Sequence, residues 1–301
     1  MKTLVAGWFS FEGMGATAGD LMVRDLVCEW LASIERPYDV ALSSPFAGGV
    51  DWQTVDPVLY SHVVFVCGPF GNGEPVTELL SRFAGVRLVG VNLTMLQPLH
   101  EWNPFDLLLE RDSSVLARPD LAFLGASMRA PVVGIVRMHE QPEYGARDLH
   151  SRANDAMTRL IAARELAAVT VDTRLDMENA AGLRTASEIE SLIAKMDVVV
   201  TARLHGLVLS LKNGVPAVAI DSVAGGAKIS RQAQALGWPV VLTADRMTAE
   251  ALDEAFEYCL TAEARSLAVE VRDRARGLLR PLQEIFVTEF AANRRPSGSP
   301  E

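Results

Sequence analysis

The sequence predicts an α/β protein made of two Rossmann-like, doubly wound parallel-sheet domains facing a cleft. Three observations carry this. Short apolar runs alternate with segments of helical periodicity through most of the 301 residues, and such alternation builds parallel sheets through helical crossovers. Glycine-bearing turns follow strands at 13–20, 68–74 and 201–206, where open α/β sheets bind their ligands. The plan of strand, glycine turn and helix is also present in both halves, on either side of a small-residue stretch at 125–131. The expected domains are 1–127 and 128–292, followed by a polar tail at 293–301 that is expected to be disordered.

Residues 3–7 read as the first strand. Met22, Leu26, Val27, Trp30 and Leu31 then recur at helical spacing across 21–34. Gly13, Gly15 and Ala18 fit a dinucleotide-binding spacing, but five residues separate them from the strand. The next strand, 39–42, ends in Ser43-Ser44 rather than in a ribose-binding acid, so NAD binding is not expected. Asp20 has two readings: a helix cap, or a cleft residue accepting from sugar hydroxyls. A strand at 62–67, a helix at 78–83, a strand at 87–92 and segments at 105–111 and 121–124 complete the first domain. His100, beside Glu101 and Trp102 in a proline-flanked loop, reads as an exposed residue.

The second domain opens on a strand at 132–136 that ends in Arg137. That arginine either serves the cleft or pairs with Glu140. A helix at 148–165, a strand at 168–172 and a helix at 186–195 follow. Residues 196–221 form a strand–helix–strand unit: a β-branched run at 197–201, Leu204, Leu207, Val208 and Leu211 at helical spacing, Asn213-Gly214 as a C-terminal stop, and an apolar run at 217–220. A short strand is expected at 240–243. Residues 248–290 read as helical with charges at i, i+4 spacing, and Pro281 is expected to kink or divide them.

Composition narrows the function. The chain is 49% hydrophobic and 22% charged with a formal net charge of -10, which speaks against a general nucleic-acid binder. An anionic substrate would have to be held by a few local cations. Cys28, Cys67 and Cys259 lie far apart in apolar contexts, as expected of reduced, buried thiols in a cytoplasmic protein. No signal peptide or bilayer-spanning stretch is expected, and no metal-ligand spacing is present among His and acidic residues.

The chemistry-bearing turn is Thr201 to Gly206. A helix N-terminus offers unpaired N–H groups and a positive dipole end, hence an anion site. Arg203 adds a planar fork for a carboxylate or phosphate, and His205 a group that exchanges protons near neutral pH. The bland alternative is an arginine paired with a carboxylate and a histidine that caps or packs.

Val200-Thr201-Ala202-Arg203-Leu204-His205-Gly206, with Gly214-Val215-Pro216-Ala217-Val218-Ala219-Ile220, resembles the signature of the polysaccharide pyruvyl transferase family. Gly226-Ala227-Lys228-Ile229 and Leu236-Gly237-Trp238-Pro239 fit its continuation. Arg111-Asp112-Ser113, Pro119 to Leu124, and Val133 to Arg137 are similar to other family stretches, and Gly15 to Asp20 resembles its N-terminal glycine-aspartate turn. The resemblance implies a GT-B-like enzyme, cytoplasmic, that moves the pyruvyl group of phosphoenolpyruvate onto a sugar or polysaccharide precursor as a ketal. Phosphoenolpyruvate is then a co-substrate, and no separate cofactor is expected. Arg137, Arg203 and Lys228 would hold the donor, with Leu204, Gly206 and Gly19 lining the substrates. His205 would be the acid, and Asp20 and Glu140 candidates for the base. The first domain would take the acceptor, free or lipid-linked. The alternatives are a GT-B-type glycosyltransferase using a nucleotide sugar, and a non-catalytic partner that keeps the fold, since Thr17-Ala18-Gly19-Asp20 departs from the family's Asn-x-Gly-Asp form. Homo-oligomerisation is compatible with either enzyme reading.

Overall fold

The computed structural model describes residues 1–125, 129–139, 142–176 and 179–292. Glu140 and the 293–301 tail, both singled out above, lie outside the described residues. The chain divides into two units, Met1–Met128 and Arg129–Glu301.

The first unit contains β1 (Lys2–Gly7), α1 (Ala18–Ser33), β2 (Tyr38–Val40), β3 (Tyr60–Val66), β4 (Pro69–Phe70), α2 (Val76–Arg82), β5 (Arg87–Val91), β6 (Thr94–Met95) and β7 (Leu107–Leu109). Its five-stranded sheet runs β2-β1-β3-β5-β7, every pair parallel. Successive residues of β1 and β3 feed opposite faces. Leu4, Val63 and Phe65 pack with Leu79 and Phe83 around α2, whereas Val5, Val64 and Val66 pack with Val23 and Val27 of α1. Burial on both faces explains why these strands read as continuous apolar runs. Leu121–Leu124, left open by the sequence, forms a 3-10 turn.

The second unit contains β8 (Val132–Val136), α3 (His150–Ala162), β9 (Ala167–Thr170), α4 (Ala186–Ile193), β10 (Val198–Thr201), α5 (Leu204–Lys212), β11 (Ala217–Asp221), α6 (Lys228–Leu236), β12 (Val241–Thr243), α7 (Ala249–Cys259) and α8 (Ala262–Ala292). Its sheet order is β12-β11-β10-β8-β9, again all parallel. Val133, Val198 and Val200 face α3, α7 and α8 through Met157, Phe256 and Val271. Val136 and Val199 face α4 through Ile189 and Ile193. Numbered within its own unit, each sheet has the order 2-1-3-4-5, the flavodoxin-like version of the doubly wound fold.

The expected division of the last helical run needs correction. The run 248–290 is divided, but at Leu260-Thr261 rather than at Pro281. Thr261 supplies the break: its Oγ1 accepts from Ala264 N at 3.2 Å, an N-cap that starts α8. Pro281 lies inside α8 without ending it. No helix among the described residues is long and apolar enough to cross a membrane.

Candidate functional site

In a 2-1-3-4-5 sheet the crossovers leave in opposite directions from strands 1 and 3, and the crevice beyond their carboxyl ends is where ligands bind. In the second unit that crevice lies between the ends of β8 and β10. Arg203 bridges it: its Nε donates to Arg137 O at 2.8 Å. The backbone at Arg203 is fixed by Thr201, whose Oγ1 accepts from Arg203 N at 3.0 Å and donates to Arg203 O at 3.1 Å. Arg203 is the N-cap residue of α5, and no side chain caps that helix. The first-turn N–H groups of Leu204, His205 and Gly206 are therefore left without a capping side chain, and His205 is exposed there.

Asp172 sits behind the arginine. Only 5% exposed, it accepts from Arg174 N at 3.0 Å and Ala180 N at 3.2 Å. His139 Nε2 lies 3.4 Å from its Oδ2, and Arg203 Nη2 lies 4.0 Å from its Oδ1. Burial alone would push the Asp172 carboxyl up. The two N–H donors, His139 and the Arg203 charge outweigh it and hold the group below its ordinary 3.8. Burial, aided by the nearby Arg174 charge and opposed by Asp172, lowers the Arg203 pKa. An arginine starts so high that it stays charged throughout the working range.

The remaining residues singled out from sequence fall in several places. His205 is exposed on the first turn of α5, beside Arg203. The Arg137 guanidinium turns away from Arg203: its Nη1 donates to Asn154 O at 2.9 Å and Thr158 Oγ1 at 3.0 Å on α3. Arg137 thus contributes its carbonyl to the crevice, and its charge lies along a helix flank. Lys228 opens α6 and is half-buried. The N-terminus of α6 is already filled by Asp221, whose Oδ2 accepts from Ala227 N at 2.6 Å and Ser230 N at 2.9 Å. Leu204 packs partly against the core. In the first unit, Asp20 accepts from Thr17 N at 2.7 Å and Thr17 Oγ1 at 2.9 Å. Thr17 is the N-cap of α1 and Asp20, three residues on, is the reciprocal half of its capping box, so Asp20 supports the cap without being the capping residue of its first sequence reading. Gly19 borders the same turn, with Thr17 Oγ1 3.6 Å from where its Cβ would stand.

In the first unit the position beyond β1 and β3 is occupied in part by Trp8, which borders a hollow of about 240 Å³ together with Pro69, Asn72 and Glu74. Trp8 Nε1 donates to Pro69 O at 3.0 Å, and its indole lies over Gly68, where any Cβ would collide with the ring. The first unit also has a larger hollow of about 530 Å³, lined by Ser10, Glu12, Ser43, Gln53, Glu74 and Glu78 among others. Among the described residues no three His, Cys, Asp or Glu side chains are grouped to hold a metal ion.

Two expected outcomes test this construction. Gly206 is buried, and a Cβ on it would stand on Thr201 Oγ1 and 3.2 Å from Val136 Cγ1. Gly206→Ala is expected to cost about 1–3 kcal/mol through overpacking, read as a lower midpoint in urea with an unchanged slope. The second concerns Asp172. Because its native pKa lies below 3.8, the fold favours the ionised form. Its contribution is present above that value and lost as pH falls through the lower native one. Asp172→Asn is expected to destabilise by about 1–3 kcal/mol near neutrality, since two buried N–H donors and His139 lose a charged acceptor. The gap to wild type should shrink below pH 4; a gap that stays constant down to pH 2 would rule out the ionised carboxylate as its source.

Comparison with known proteins adds one match to this geometry. Residues 145–222 match the model of the family described as polysaccharide pyruvyl transferase. The matched stretch runs from five residues before α3 through β11, and contains Asp172 and the whole turn 201–206. Arg137, Lys228 and the N-terminal blocks lie outside it. No curated protein matches the chain. Solved structures of similar outline include the spinosyn rhamnosyltransferase SpnG complexed with thymidine diphosphate, 12% identical over 94% of this chain and 100% of that one, with a TM-score of 0.34. They also include the UDP-GlcNAc 2-epimerase from Methanocaldococcus jannaschii, 9% identical over 93% of this chain and 100% of that one, TM-score 0.34. MurG of Acinetobacter baumannii is 12% identical over 91% of this chain and 95% of that one, TM-score 0.31. The fold assignment rests on the strand order of the two sheets.

Proposed function

We propose that this chain is a pyruvyl transferase that moves the pyruvyl group of phosphoenolpyruvate onto two hydroxyls of a saccharide. The observation that carries the reading is Arg203, fixed across the β8–β10 crevice at the uncapped start of α5, inside the stretch that matches the pyruvyl transferase family. Phosphoenolpyruvate carries a carboxylate and a phosphate close together. A bidentate guanidinium suits one of them and a row of helix N–H groups the other. Of the five donors on a guanidinium, only Arg203 Nε makes a hydrogen bond among the described residues.

The chemistry needs one proton delivered and two hydroxyl protons removed. Protonation of the methylene carbon makes the methyl group and leaves the neighbouring carbon electrophilic. One sugar hydroxyl attacks that carbon and loses its proton. The second hydroxyl then forms the other C–O bond as the C–O bond to phosphate breaks, and phosphate leaves with the electron pair. We take His205, exposed on the same helical turn as the N–H groups, as the source of that proton. His139, oriented by Asp172, is a second imidazole near the donor.

Purified protein given phosphoenolpyruvate and a panel of saccharides is expected to release inorganic phosphate only with the right acceptor. Thermal stabilisation by phosphoenolpyruvate alone should precede any turnover. Stabilisation by UDP or GDP with none by phosphoenolpyruvate would overturn the reading in favour of a nucleotide-sugar transferase.

A further inference from the structure

The far half of α8 carries an apolar stripe that its own unit does not cover. In the near half, Ala264, Ala268 and Val271 are fully buried against the domain. The same helical face continues through Leu278, Leu279, Leu282, Ile285, Phe286 and Phe290, which are between 56% and 67% exposed. Residues at i, i+3, i+4, i+7 and i+8 share a face, so these six form one band rather than scattered contacts. Phe286 and Phe290 already pack on each other, with ring centroids 4.7 Å apart.

We propose that this stripe is the interface with a second copy of the chain, two α8 helices pairing antiparallel about a two-fold axis near Leu282. Three features favour a second copy. The exposed parts of the six side chains set an upper bound of roughly 800 Å² per copy on what the pairing can bury, the size of one side of a standard interface. The stripe is also self-complementary, as an isologous contact requires. With Leu282 on the axis, Leu278 lies opposite the partner's Phe286 and Leu279 opposite the partner's Ile285. The acid that falls within the apolar face, Glu289, comes opposite Ala275 and within reach of the partner's Arg276. Finally, an apolar groove of about 270 Å³ is bordered by Val208, Leu236, Val271, Ala275 and Leu279. In this register the partner's Phe290 arrives beside Ala275 and can fill it. The pairing stands apart from the transferase reading, because none of these residues belongs to the β8–β10 crevice.

Light scattering on the full-length protein at micromolar concentration is expected to give twice the chain mass of 32.6 kDa. Leu282→Glu, at an exposed position that folding does not need, should give a monomer with unchanged melting of the domain and unchanged donor binding. Glu289→Arg should weaken the dimer at least about tenfold by placing like charges across the axis, and adding Arg276→Glu should restore it. A wild-type monomer, a dimer indifferent to Leu282→Glu, or a monomer that co-sediments with phosphatidylglycerol vesicles would each overturn the proposal, the last by making a lipid surface the occupant.

Discussion

Replacing Arg203 by lysine is expected to weaken phosphoenolpyruvate binding by roughly ten- to a hundredfold while leaving the fold intact. The charge survives this change, so the effect isolates geometry. The guanidinium is aimed by its Nε bond to Arg137 O and by the Thr201 turn beneath it. A lysine has no equivalent of Nε, and its single nitrogen cannot both bind that carbonyl and present a fork to the ligand. A hydrogen bond to a charged group contributes about 1.5–3 kcal/mol, and each 1.4 kcal/mol is tenfold in affinity, which gives the stated range. Calorimetric titration with phosphoenolpyruvate measures it. Equal affinity in the lysine variant would mean that the donor lies elsewhere. Arg203→Ala should lose more, because it also removes the countercharge of Asp172.

The strand framework was legible because parallel strands buried on both faces must be apolar throughout. Residues 62–66, 132–136 and 197–201 admit little else. Arg203 and His205 were legible because a helix start after a strand marks itself by position. What the sequence did not show was the contact between distant segments. Asp172 reads as the last residue of a strand, and His139 as a loop residue. Their pairing depends on β8 and β9 lying side by side with Thr170 opposite Ile135, which no local pattern records. Arg137 illustrates the converse. Its position at a strand end suggested a ligand contact, but Asn154 and Thr158 on α3 compete for the guanidinium and hold it. Helix α6 went unnamed, although Ile229, Ala233 and Leu236 with Gly237 beyond them carry a helical spacing and a C-terminal glycine, which adopts φ 66°.

The two units reuse one strand order for different ends. In the first, Trp8 stands over Gly68 beyond β1 and β3, and a larger hollow with several carboxylates lies beside it. In the second, the crevice keeps an uncapped helix start and an arginine. Sheet order alone therefore does not choose the ligand side. Past β1 stands a bulky ring, and past β8 a carbonyl that Arg203 grips. With an overall charge of -10, the anionic donor proposed above would be repelled by the global field, so the local arrangement would have to outweigh it.

Removing the imidazole at position 205 is the sharper test of the chemistry. His205→Ala is expected to lower turnover by about 10²- to 10⁴-fold, the usual contribution of a positioned acid, with KM for phosphoenolpyruvate little changed. The split follows from the geometry: Arg203 and the first-turn N–H groups of α5 remain to hold the donor, whereas the proton for the methylene carbon has lost its source. His205 is exposed, so its truncation leaves no cavity, and an unchanged melting temperature is the control. His139→Ala should give a smaller loss, because that ring is set back on Asp172. In heavy water the methyl group of the product should carry deuterium in the wild type, at a rate that falls with turnover in the variant. If His139→Ala takes the large loss and His205→Ala turns over normally, the proton comes from the Asp172-bound imidazole and the exposed one is a bystander.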